Sequence, residues 1–229
     1  NEIRAIPDLL RQLDLYGCII TLDAIGGQVE LAQQIVDQGA DYLLAVKANQ
    51  GNLYEDIEFF FRLAEDNDFA KVDYAHARAV NKGHGRIEVR EGWAISGEES
   101  LQFLRDSDAW PNLQTIMRID SERYVGDGVS RKSRYFISSL AHDAERLLQV
   151  KRSHWAIENE LHWVLDIAFR EDDSRVRMGH GPENLATFRH MAVNLLKQEK
   201  SAKGGIHNKR MQAAWDEDYL VKVLSGSMR

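Results

Sequence analysis

Residues 17–49 read GCIITLDAIGGQVELAQQIVDQGADYLLAVKAN, and the alternation inside this stretch decides the fold class. The run GCIITLDAIG, 17–26, is β-branched and continuously apolar up to Asp23, as expected of a strand buried on both faces. Gly26 and Gly27 break it. Val29, Leu31, Ala32, Ile35 and Val36 then fall on one helical stripe, and Gly39 offers a stop. DYLLAVKAN, 41–49, is a second buried-type strand. Strand, helix and strand in this order predict a mainly parallel sheet covered by helices, an α/β fold.

On the N-terminal side, AIPDLLRQLDL, 5–15, has helical spacing with Pro7 early, where a missing amide proton costs little. On the C-terminal side, NLYEDIEFFFRLAE, 52–65, predicts a helix with Leu53, Ile57, Phe60, Phe61 and Ala64 facing inward. From 73 to 140 the character changes to short strand-like pieces: RIEVREGWAI (86–95), LQTIMRIDSERYV (113–125) and SRYFISSL (133–140). Gly83, Gly85, Gly126 and Gly128 punctuate them. From Ala144 the chain turns helical nearly to Lys200, broken at DDSRVRMGHGPEN with Pro182 at a first helical position. The expected organisation is therefore three parts: 1–72, part of an α/β core; 73–140, a β-rich insertion; and 141–229, helices that complete the core.

Bulk properties narrow the function. A composition of 44% hydrophobic and 28% charged residues is that of a folded globular chain. A net charge of −7 argues against coating nucleic acid with the whole surface. Locally, the stretch from Arg189 to Arg210 is basic and suits either phosphate contact or a solvated helix end. Apolar runs such as LYGCII and YLLAV are too short to cross a bilayer, so no membrane partner is expected. One cysteine, Cys18, makes no intramolecular disulfide, and a reducing cytoplasm is the simplest compartment.

Three features carry possible chemistry. Asp23, just past a strand end, lies on the edge where open α/β sheets bind ligands, but it can equally cap the following helix. Lys47, at the end of the next strand, falls on the same edge and either holds phosphate as a point charge or sits in solvent. His154, Glu158, His162 and Asp166, at four-residue steps, line one ribbon of a helix. That ribbon is a salt-laced surface, a zinc site or one arm of a carboxylate site. Zinc fits poorly: the H-E-x-x-H pattern is absent, and side chains at i and i+8 stand about 12 Å apart along the axis. An Asp from a strand end and a Glu from a helix beside the sheet suit Mg²⁺, which takes one or two carboxylates plus phosphate and water.

The motifs IITLDAIGGQ (19–28), DYLLAVKANQ (41–50), HGRIEVRE (84–91), RYFISSL (134–140), HWAIENELHWVLDIAFREDDSR (154–175) and PENLATFRHMAVNLLK (182–197) are specific as a set. Together with the tail KRMQAAWDEDYLVKVL (209–224), they make the chain resemble DDE transposases of the ISAs-type insertion-sequence family, which includes the H-repeat-associated proteins. The resemblance implies a ribonuclease-H-like core with a β-rich insertion between the second catalytic aspartate and the catalytic glutamate. It implies that Asp23 and Glu158 are catalytic metal ligands for Mg²⁺ or Mn²⁺, used in DNA strand cleavage and strand transfer. It further implies double-stranded DNA as partner (terminal inverted repeats and target), a homodimer on DNA, and nucleoid association when DNA is bound. Lys47, His154, His162 and Arg189 are the expected DNA-facing residues, together with His84, Arg86 and Arg90, which with Glu88 fall in a family motif whose role is either structural or DNA-facing. The family's first aspartate lies on a strand upstream of Asn1, and Asp8 and Asp14 do not match it. This chain is thus expected to be a C-terminal part, inactive alone, or else a remnant that only binds DNA or itself.

Overall fold

The computed structural model describes residues 2–226 except 84 and 127, with the backbone alone at 2, 158 and 159. Helix α1 (Glu2–Gln12) is followed by the βαβ unit, made of β1 (Ile19–Leu22), α2 (Val29–Asp37) and β2 (Asp41–Val46). The two strands pair in parallel from Ile19↔Asp41 to Leu22↔Leu44. A one-turn 3₁₀ segment, Ala48–Gln50, leads into α3 (Gly51–Asp66).

The rest of the sheet departs from the expected parallel pattern. Strands β3 (Asp73–Gly83), β4 (Arg86–Ser96), β5 (Thr115–Val125) and β6 (Gly128–Ser138) form an antiparallel meander. The last of them pairs antiparallel with β2, from Leu43↔Ser138 to Val46↔Tyr135. The order is β1-β2-β6-β5-β4-β3, one mixed sheet in which β1–β2 is the parallel pair. The sheet is thus mixed rather than mainly parallel, because hairpins, not helical crossovers, join the last four strands. Each of those four is eleven residues long: the pieces expected at 86–95 and 113–125 coincide with β4 and β5, the piece at 133–140 covers only the second half of β6, and β3 was not expected as a strand. A second difference concerns β1: it is the edge strand, and all four of its residues are half-buried rather than enclosed on both faces. The central strand β2 is buried throughout after Asp41, as its apolar run predicts.

Strand alternation sorts the core into two faces. Tyr42, Leu44, Val46, Ile116, Tyr135 and Ile137 face one way and pack with Leu31 and Ile35 of α2 and Leu53, Ile57 and Phe61 of α3. Leu43, Ala45, Ala94, Met117 and Phe136 face the other way, against Ala144, Leu147 and Leu148 of α5 (Ala144–Ile157). A short α4 (Glu98–Gln102) precedes β5. Helix α5 comes close to the sheet at Gly92 of β4, where a β-carbon would stand 2.8 Å from Met117 Cε and 3.0 Å from Leu148 Cγ.

The chain divides into two compact units, Asn1–Arg152 and Ser153–Arg229, the division falling inside α5. In the second unit a π-helical turn, Glu158–His162, is followed by α6 (Trp163–Phe169), α7 (Gly181–Gln198), α8 (Ile206–Trp215) and α9 (Glu217–Ser225). The π turn carries one residue more than an α turn and rotates everything after it. The expected straight ribbon from His154 to Asp166 is therefore interrupted at its centre. The core of this unit is Leu196, Tyr219 and Val223, with Phe169, Leu195 and Ile206 packed on it. Pro182 does stand in the first turn of α7.

Candidate functional site

Asp23 lies one residue beyond β1 and is exposed. Behind it the chain folds into a tight loop: Gly26 N–H donates to Asp23 O at 2.8 Å, and Gln28 N–H to Gly26 O at 2.9 Å. The segment after β2 pins this loop from the side. Asn49 Nδ2 donates to Ala24 O at 3.1 Å, and Gln50 Nε2 donates to Gly27 O at 2.7 Å while its Oε1 accepts from Lys47 N–H at 3.1 Å. A β-carbon on Gly27 would stand 2.4 Å from Gln50 Nε2, so only glycine lets the clamp close. The two motifs DAIGGQ and VKANQ are therefore one structural device, which holds the Asp23 backbone at the C-terminal ends of β1 and β2.

Register and alternation give Asp23 its neighbours. Leu22 pairs with Leu44, so Asp23 is level with Ala45, and Ala45 pairs with Phe136. Ala45 and Phe136 belong to the face that α5 covers. On the same face lie Lys47, two residues past Ala45 along extended backbone, and Arg134, two before Phe136 and paired with Ile119. Lys151 continues the buried stripe Ala144, Leu147, Leu148 of α5, and its ammonium lies 5.5 Å from the centre of the Phe136 ring. Burial pushes the Lys151 ammonium down to about 8; Asp23 pulls it up, and Arg134 and Lys47 push it down further. One carboxylate and three cations thus share one end of the sheet.

Sequence reasoning singled out Asp23 and Lys47 and missed Arg134 and Lys151. A signal for Lys151 exists: at i, i+3, i+4 and i+7 from Ala144 it is the one charged member of an apolar stripe. The remaining expected residues separate. Arg86 and Arg90 both turn to Glu88, Arg86 at 3.2 Å, and Arg123 approaches the same carboxylate at 3.9 Å, so these side chains are engaged within the meander. Arg189 pairs with Glu171 at 3.3 Å inside the second unit. His154 is half-buried in the last turn of α5, and His162 is exposed at the end of the π turn. His84 and the Glu158 side chain lie outside the described residues.

Much of the basic stretch is also engaged in structure. Lys197 Nζ donates to Glu160 O at 3.0 Å, and Arg210 stacks 5.4 Å from the Phe169 ring centre. Lys209 is buried; it donates to Leu196 O at 3.2 Å and lies 3.9 Å from Glu199. Glu199 accepts from Ser201 N–H at 2.5 Å, Ala202 N–H at 3.3 Å and Tyr219 OH at 2.8 Å. Those bonds, Ser201 first, hold its carboxyl down to about 2.

Another polar cluster sits elsewhere in the first unit. His142 Nδ1 is 2.7 Å from Ser96 Oγ and its Nε2 is 3.1 Å from Asp73 Oδ1, while Ser96 Oγ donates directly to Asp73 Oδ2 at 3.1 Å. Because the hydroxyl has the carboxylate as its own acceptor, the triangle ties β3 and β4 to the chain entering α5 rather than activating a nucleophile.

The family described as Transposase DDE domain matches residues 1–195. The chain belongs to that family. The DDE chain is 40% identical to the putative protein YbfL of Escherichia coli K12, over 99% of this chain and 60% of that one. It is 39% identical to the H repeat-associated putative transposase YhhI of the same strain, with the same coverage. To the putative transposase YncI of Escherichia coli O157:H7 it is 39% identical, over 98% of this chain and 57% of that one. The DDE chain thus spans about 60% of the length of the curated relatives it matches.

Proposed function

We propose that this chain supplies Asp23 and Glu158 as two acidic residues of a metal-dependent site that cleaves and joins DNA strands at insertion-sequence ends. The observation that carries the reading is the presentation of Asp23: an exposed carboxylate on a doubly pinned loop at a strand end, among cations suited to phosphate, in a chain of the DDE family. The core is read as ribonuclease-H-like, with 73–140 as its β-rich insertion and 141–229 as the helices that complete it. DNA binds as a duplex, with terminal repeats and target as substrates and two copies acting together.

The donor set fits a hard divalent cation, Mg²⁺ or Mn²⁺, as an oxygen site. Among the described residues no group of three or more His, Cys, Asp or Glu is arranged to hold a metal, so Asp23 stands as one donor and Glu158 is proposed as another. When bound, such cations activate an attacking hydroxyl and stabilise the leaving oxygen. What the chain itself does is hold Asp23 rigid through Asn49 and Gln50 and place Lys47 beside the incoming phosphate. On this reading Asp8, which pairs with Arg11 in α1, and Asp14, which accepts from Tyr16 N–H, are not taken as the family's first aspartate, because neither matches its motif. Cleavage by this reading therefore needs a third carboxylate from the parent protein.

A second reading, self-association without chemistry, is favoured by one observation: among the described residues β1 is an edge strand with half-buried side chains, and sheet edges invite pairing with a further strand. The deciding experiment is nicking of terminal-repeat DNA by the full-length parent. Activity that needs Mg²⁺ or Mn²⁺ and disappears in Glu158→Gln is expected. Unchanged nicking by that variant removes Glu158 from the site.

A further inference from the structure

We propose that β3 is a dimer interface, on which a second copy of this chain lays its own β3 antiparallel, about a two-fold axis at Ala77. The inference goes beyond the cleavage reading and holds whether or not Asp23 and Glu158 serve a metal. It starts from the edge itself. Among the described residues β3 is the last strand of the sheet, and it is eleven residues long. Its register with β4 runs unbroken from Asp73↔Ser96 to Gly83↔Arg86, so no bulge twists it away. It contains no proline, and its lysine, Lys82, stands near one end rather than at the centre. Bulges, prolines and central lysines are what keep such edges from pairing.

The two ends of the strand say which partner fits. Alternation puts Tyr74, His76, Arg78 and Val80 on one face, and Ala75, Ala77 and Ala79 on the other. At the first end Tyr74 is exposed, its ring 4.7 Å from that of Phe69, and the two make an apolar knob. At the other end Val80 pairs with Val89, and in the next row Ile87, Tyr124 and Val129 cross β4, β5 and β6. Val80, Ile87 and Val129 are exposed there and make an apolar shelf on the same face as the knob. A two-fold axis through Ala77 exchanges these ends. Tyr74 then stands opposite the second copy's Val80, each knob meets the other shelf, and the contact is made twice. On the opposite face Ala75 meets the second copy's Ala79, and Asp73 meets the second copy's Asn81, a carboxylate beside an amide. His76 meets the second copy's Arg78, and each Arg78 brings its own Glu91, 3.1 Å away. An axis at Arg78 would instead set two guanidinium groups directly opposite each other, and one at His76 would set Tyr74 against Arg78.

Sedimentation velocity of the full chain over a concentration series should show monomer converting to dimer. Val80→Glu, at an exposed position, should raise the dissociation constant at least about tenfold, because a charge enters both apolar contacts. Disulfide trapping reads the register. In a Cys18→Ser background, Ala77→Cys should give a covalent dimer under mild oxidation, since residues directly opposite have Cα atoms about 4.5–5.5 Å apart. Ala75→Cys alone should not, but it should crosslink to chains carrying Ala79→Cys. Should these variants fold poorly, amide hydrogen exchange of the unmodified chain replaces them: protection of 73–83 should rise with protein concentration while that of β1 stays constant. A chain that sediments as a monomer throughout overturns the proposal, as does a dimer that Val80→Glu leaves intact. Failure of Ala77→Cys to crosslink overturns the axis, and protection gained at β1 instead of β3 places self-association on the opposite edge.

Discussion

Gly27 is the residue on which the presentation of Asp23 turns. With its β-carbon position 2.4 Å from Gln50 Nε2, Gly27→Ala forces the amide off the Gly27 carbonyl and leaves the loop pinned by Asn49 alone. Because the displaced group is the end of a flexible side chain, a loss of about 1 kcal/mol, that of one hydrogen bond, is expected in urea unfolding. Asn49→Ala, which deletes only the bond to Ala24 O, should cost about 1 kcal/mol. Glu199 makes a pH prediction. Its carboxyl is held at about 2 when folded, below the unfolded value of about 4.3. The stability it contributes is therefore complete above about pH 5 and is lost as pH falls toward 2. Urea midpoints measured between pH 6 and pH 2.5 should fall less steeply in Glu199→Gln than in the parent chain; parallel curves would deny Glu199 this role.

Elements show where the sequence was readable and where it was not. The βαβ unit was legible because β2 is buried on both faces and α2 keeps a clean apolar stripe. Strand β3, DYAHARAVNKG, was missed: its partly buried positions are Ala75, Ala77, Ala79 and Asn81, too small or polar to make an apolar alternation visible. Strand β6 looked short because only its core-proximal end is apolar: its first seven residues are exposed and its last four buried. The π turn at Glu158 was invisible for another reason, since no composition marks an extra residue per turn. The close packing of α5 on β4 gives a test at this scale. Gly92→Ala puts a methyl against Met117 and Leu148 and should destabilise the sheet–helix face by about 1–3 kcal/mol, visible as a lowered thermal midpoint. A wild-type midpoint would mean that α5 packs less closely than described.

At the scale of the whole molecule, a net charge of −7 argues against phosphate contact over the whole surface. Arg86, Arg90, Arg189, Lys197 and Lys209 are engaged with internal partners. Asp23 was legible from its position after a strand, but its cationic neighbours were not, because Arg134 and Lys151 come from distant elements that only the fold brings to one face. The most direct measurement is the nicking rate of a protein that contains this chain together with the first aspartate the proposed site calls for, carrying Asp23→Asn, Glu158→Gln, or both. If the two carboxylates serve one metal-dependent step, each single change removes activity and the double change loses no more. Wild-type rates in either single variant, or losses that multiply in the double, would contradict it.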